Sequence, residues 1–214
     1  MALSGFNIDE VNACTSVLFS AYDNLYYAVH NDVQNNFING MADKWACNAA
    51  QNFFGNQFKP NMETLIREIN ATFENIVNSI FSAADLWARE TGWEFYPATF
   101  QTWDPALDTS RIQENIGGVR GIDLETANDV VNTLVTVKSN AENEINRAKS
   151  AVQNSGFIGG NQQQNLIDSL NRIGSQMNNN IESILNGTKD AINQTVQSYS
   201  DTRGAVAQKF QASN

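Results

Sequence analysis

Two cysteines, one histidine and three prolines are all that this 214-residue chain holds of the residues that build disulfide scaffolds, metal sites and turn-rich folds. Two cysteines, Cys14 and Cys47, are too few for a disulfide framework, and they lack metal-ligand spacing. A lone histidine, His30, excludes a His-cluster metal site. With 3 Pro and 13 Gly, the chain lacks the punctuation of an all-β domain. Charge is scarce too: Asp, Glu, Lys and Arg make up 17% of residues, against about a quarter in an ordinary globular protein. Positive charge is scarcest, with 13 Lys and Arg against 23 Asp and Glu, a net charge of −10 and no basic run. That excludes the basic face needed to bind nucleic acid or to dock on anionic lipid. No apolar run approaches the roughly 20 residues of a membrane span. The stretch Met1–Glu10 has neither the basic nor the apolar region of a Sec signal peptide. These absences predict a protein made in the cytoplasm, with no Sec signal peptide and no stable membrane span.

What is present is helical periodicity. Hydrophobic residues are 42% of the chain, enough for a sizeable core. Four segments carry one apolar stripe each at a spacing of three or four residues. The first runs Ile8, Val11, Leu18, Tyr22, Leu25, Val29, Val33, Phe37. The second runs Met62, Leu65, Ile69, Phe73, Ile76, Ile80, Trp87. The third runs Leu124 to Val152 through Val131, Leu134, Val137 and Ile145, and the fourth Leu166 to Tyr199, with an interruption expected at Gly187. Asn7 is placed to cap the first helix, and Gly121 or Asp123 the third. Stops are expected at Asn39-Gly40 and Ser155-Gly156. Pro60 predicts a kink or restart. No strand is predicted.

A narrow stripe on a long helix has to be covered by another helix. The expected fold is all-α: two long antiparallel helical hairpins packed as a four-helix bundle. The predicted units are a first hairpin over 1–90, an aromatic-rich connector over 91–121 and a second hairpin over 122–214. The connector holds Trp93, Phe95, Tyr96, Phe100 and Trp103. Five aromatics do not stay solvated together, so they either cover an end or side of the bundle or form a partner surface.

The halves match in outline. Ile8-Asp9 opens one hairpin and Ile122-Asp123 the other, and the turns carry Trp45-Ala46-Cys47 and Phe157-Ile158-Gly159. An aromatic at such a turn fills the space between helix ends, and a small residue lets the backbones approach. The run Trp45-Ala46-Cys47-Asn48-Ala49-Ala50-Gln51-Asn52-Phe53 resembles the turn signature of the WXG (Trp-Xaa-Gly) family of type VII secretion substrates. Cys47 stands where that family has Gly. The second turn keeps the Gly, at Gly159, and replaces the Trp by Phe157.

This resemblance implies a tandem version of helical hairpins that usually dimerise and are exported folded. The expected partners are other WXG-like proteins or effectors and a secretion ATPase, with the two hairpins pairing within a monomer or across a dimer. Family members or their partners often carry a Tyr-x-x-x-Asp/Glu export signal. Here Phe81 and Asp85 have that spacing with Phe for Tyr, and Tyr199 is followed at that distance by Arg203. Core packing is the competing role for Phe81 and Tyr199.

No catalytic residue, cofactor or metal is expected, because no nucleophile–base pair or carboxylate pair stands out. Gly117-Gly118-Val119-Arg120-Gly121 follows no predicted strand and is a helix-start loop, not a phosphate cradle. The leading expectation is a secreted adaptor, carrier or effector partner. The alternatives are a component of a helical pore-forming toxin and a cytosolic chaperone for a secreted effector. Insertion would have to use Ala71–Ala88, which contains Glu74 and Asp85 and is costly to bury in lipid.

Overall fold

The computed structural model describes residues 5–158 and 162–212. The chain is all-α, four long rods packed as a bundle. The first rod joins α1 (Ile8–Tyr26), a wide-turned π-helical stretch Tyr27–Ile38, and α2 (Asn39–Ala42). The second joins α3 (Asn48–Phe53), a short wide stretch Phe54–Phe58, and α4 (Lys59–Thr91). The third and fourth are α5 (Leu124–Gln153) and α6 (Gln162–Ala212). Among the described residues, four two-residue strands complete the framework: β1 (Gly5–Phe6), β2 (Trp45–Ala46), β3 (Gly121–Ile122) and β4 (Phe157–Ile158).

The wide turns follow from spacing. Leu25, Val29, Val33 and Phe37 are buried at a strict interval of four. On an α-helix of 3.6 residues per turn, each such step drifts by about 40° round the axis. The i→i+5 pattern widens the turn and swings the row back, so all four keep facing the core. Pro60 sits in the first turn of α4, where its missing N–H is least costly, just after the second wide stretch.

Helix starts obey local chemistry. Asn7 Oδ1 accepts from the backbone of Asp9 at 3.1 Å and Glu10 at 3.4 Å. Asp123 caps α5, accepting from Thr126 N at 3.3 Å and from its hydroxyl at 2.8 Å. These two bonds, the hydroxyl's first, hold the Asp123 carboxyl below its usual range.

The first rods of the two hairpins run antiparallel side by side. Asn24 reaches Glu144 at 3.3 Å and Arg147 reaches Ser20 at 3.1 Å. Rod two closes on rod one through Tyr22 and Phe73, with ring centroids 5.4 Å apart, and α6 packs on both α5 and α4. One continuous core results, in which Trp45, Tyr22, Phe37, Phe54, Phe58 and Phe73 are fully buried. Each such side chain contributes roughly 1.5–3 kcal/mol through burial.

The strands reveal a pseudo-twofold relationship. β1, which leads into the first hairpin, pairs antiparallel with β4 at the turn of the second, with Phe6 opposite Phe157. β3, which leads into the second hairpin, pairs with β2 at the turn of the first, with Ile122 opposite Trp45. The flanking bonds repeat as well: Asn7 N donates to Gly156 O at 2.8 Å, and Asp123 N to Lys44 O at 2.7 Å. Asn7 therefore corresponds to Asp123, an offset of 116, two more than the Ile-Asp match suggests. Trp45 corresponds to Phe157, an offset of 112. The first rod thus fits four more residues than α5 between equivalent points. Its wide turns take them up without lengthening the rod.

Several expectations are corrected. Asn39-Gly40 is no stop: both lie inside α2, where a Cβ on Gly40 would meet Val130 at 3.1 Å, so glycine serves a close approach of two rods. Gly187 does not interrupt α6, which continues past it, and a Cβ there would meet the Phe53 ring at an ordinary 3.6 Å. Strands exist, each two residues long and too short to show a period. Gly117 and Gly118, with φ 58° and 82°, form a two-residue turn between Ile116 and Val119 rather than a helix-start loop.

Candidate functional site

At the first turn, Trp45 is wholly buried, with its ring 6.0 Å from that of Phe53 and 6.2 Å from that of Phe54. Its Nε1 has no hydrogen-bond acceptor among the described residues. Cys47 is buried before α3 with φ −168° and ψ 169°. That is extended backbone, so the position calls for small volume and not for glycine. At the second turn Phe157 is half-buried beside Phe6, whose ring lies tilted on that of Trp87 with centroids 6.5 Å apart. Gly159 lies outside the described residues.

The export-like positions are engaged in packing. Phe81 meets Phe19 edge-on at 6.3 Å and Phe95 at 5.9 Å, while Asp85 pairs with Arg89 at 2.6 Å. Tyr199 is 37% exposed on α6, and its phenol is pushed up by partial burial and by neighbouring Cys47. Beyond Val196, the side chains of α6 described up to Lys209 are exposed.

The connector lies along the outer groove between rods one and two and is held chiefly by its main chain. Four side chains spaced by four residues form one wall. Tyr22 OH accepts from Trp103 N at 2.9 Å, and Tyr26 OH donates to Asp104 O at 2.9 Å. His30 Nε2 lies 2.8 Å from Ala106 O, and the Gln34 carboxamide both donates to Asp108 O at 2.9 Å and accepts from Asp108 N at 2.8 Å. On the opposite wall, Asn70 Nδ2 donates to Trp103 O at 2.8 Å and Glu63 Oε1 accepts from Leu107 N at 3.0 Å. Leu107 and Ile112 are buried as anchors. The same wide turns that keep Val29 and Val33 inside keep His30 and Gln34 under the connector.

The five connector aromatics divide. Phe100 packs on Phe19 at 5.3 Å and on Tyr22 at 4.8 Å, and Phe95 docks on Phe81. Trp103 stacks on Tyr26 at 5.6 Å, gives its Nε1–H to Asp23 at 3.0 Å and stays 46% exposed. Trp93 and Tyr96 are 63% and 80% exposed.

The wall of Tyr22, Tyr26, His30 and Gln34 is what sequence reasoning missed. Its signal is a row of hydrogen-bonding side chains at i, i+4, i+8 and i+12 beside an apolar stripe. His30 is committed to that row, with Nδ1 2.9 Å from Asn31 Oδ1 and its ring stacked on Tyr26 at 4.7 Å. Among the described residues, no three His, Cys, Asp or Glu side chains are grouped to hold a metal ion. Among them, no helix is long and apolar enough to cross a membrane. Comparison with protein-family models, with curated proteins and with solved structures returned no match.

Proposed function

We propose that this chain is a non-enzymatic, type VII secretion-associated protein of the WXG kind, acting as an adaptor, carrier or effector partner. The observation that carries the proposal is the reciprocal turn. Trp45 caps the core at one hairpin turn and is paired with the strand leading into the other hairpin, and Phe157 stands at the related place. An intramolecular pair replaces two separate chains, at the high effective concentration that a tether provides. With Phe81 committed to packing on Phe19 and Phe95, the export signal would come from a partner.

The test is export from the native host, followed in culture supernatant with the secretion ATPase present or deleted. The expected result is ATPase-dependent appearance outside the cell. Retention in both strains would overturn the proposal and favour the cytosolic-chaperone alternative.

A further inference from the structure

The pseudo-twofold relates the connector-filled groove to a second groove, between α5 and α6. Carried across by the offsets above, Tyr22 corresponds to Lys138 and Asn70 to Glu182. In the first groove, Tyr22 and Asn70 meet across the walls at 2.7 Å and hold the N–H and C=O of Trp103. In the second, Lys138 and Glu182 meet at 3.6 Å across the corresponding walls. Lys138 offers a donor for a carbonyl and Glu182 an acceptor for an N–H, which are the two functions of the first pair.

Beside this pair the second groove opens into a cavity of about 350 Å³, lined by Glu142, Asn146 and Lys149 of α5 and by Asn171, Ser175 and Asn178 of α6. Side-chain amides, a hydroxyl and a carboxylate are the chemistry that grips the connector in the first groove. Asn178 occupies the place of Ile66, which is buried on α4. Its Oδ1 is buried and accepts no hydrogen bond among the described residues. A polar face that served only solvation would leave this oxygen in water; a buried acceptor without a donor is a standing cost. Val135 stands where Phe19 receives Phe100, and it is 51% exposed.

We propose that the α5–α6 groove is a docking site for an extended, main-chain-presenting segment of a partner protein, held as the connector is held in the α1–α4 groove. The connector itself states the chemistry of the occupant. It is non-helical, stiffened by Pro105 and bonded through its backbone. Lys138 is paired with Glu182, and Glu142 lines the cavity with Lys149, so the occupant is defined by its main-chain groups rather than by its charge. An incoming N–H supplies the donor that Asn178 Oδ1 lacks. Such docking needs no export step, so it stands or falls separately from secretion.

The experiment titrates the isotope-labelled full chain with a synthetic, end-blocked peptide of the connector sequence, residues 98–112. Saturable shifts confined to α5 and α6 are expected. Asn178→Ile should weaken binding roughly ten-fold, the worth of one buried hydrogen bond. Ser175→Phe, at an exposed position that fills the groove without touching the core, should abolish it. Absence of saturation, shifts along α1 and α4, or indifference to both substitutions would overturn the proposal. So would the same shifts arising without peptide as the mass doubles, because the occupant would then be a second copy of the chain.

Discussion

Tyr22 gives its hydroxyl hydrogen to Asn70 Oδ1 across 2.7 Å, and together the two side chains hold both polar groups of Trp103. Three hydrogen bonds close a small ring inside the groove, and each side chain depends on the other for its second partner. Tyr22→Phe strands Asn70 Oδ1 and Trp103 N; Asn70→Leu strands Trp103 O. Each substitution should cost about 1–3 kcal/mol in chemical denaturation. The double variant should cost clearly less than the sum, because the ring is lost only once. Additive costs would show that the three bonds act independently.

The two turns should respond unequally to the same truncation. Trp45 is wholly buried and Phe157 half-buried. Trp45→Ala should therefore destabilise by about 3–5 kcal/mol, as expected for removal of a large core aromatic. Phe157→Ala should cost less, as read from denaturant midpoints at unchanged slope. An equal loss would mean that the second turn carries as much of the core as the first.

Gly156 combines a φ of 77° with a crowded site, where an added Cβ would lie 2.7 Å from both Asn7 O and Glu10 Cβ. Gly118 has a similar φ of 82° with open space around it. Gly118→Ala should cost only backbone strain, about 1–3 kcal/mol. Gly156→Ala should cost more, because it also parts Asn7 N from Gly156 O at the start of α1. Thermal melts of the two variants separate strain from crowding; equal melting temperatures would contradict the close approach.

Burial pushes the Tyr22 phenol up to about 12 from its ordinary 10.0, although the bond from Trp103 N pulls the other way. Burial likewise pushes the Cys14 thiol to about 12 from 9.0. In both cases the folded chain holds the proton more tightly than the unfolded chain. The stability concerned is therefore complete below the unfolded values and is lost as pH rises toward 12. Denaturation at stepped pH should show a fall beginning near pH 9 to 10, and Tyr22→Phe should flatten its upper part. At pH 8 the Cys14 thiolate is suppressed, so native protein should react with a thiol reagent there far more slowly than unfolded protein. Fast native labelling at Cys14 would show that rod one opens.

The four rods are legible in the sequence because each repeats its apolar positions over many turns, and the caps at Asn7 and Asp123 are local chemistry. The strands are not legible, since two residues cannot display a period and their partners lie in the opposite half. Gly40 and Gly187 look like breaks, but Gly40 serves a close approach to Val130 on another rod and Gly187 lies within a continuous helix. The connector's aromatics announce that something must be covered. The groove that receives them is hidden because Tyr22 passes as a core residue and Tyr26, His30 and Gln34 as surface. Their common task emerges only when the wide turns line them up.

The two halves are arranged as the subunits of a symmetric dimer would be, with one patch meeting its own copy. In such a dimer every substitution is made twice, so both sides change together. Joining the halves in one chain removes that rule. Trp45 can face a Phe157 counterpart, one rod can hold four more residues than its twin, and one groove can keep a strap that the other does not. Division of labour between two equivalent surfaces, closed to a homodimer, is open to this chain.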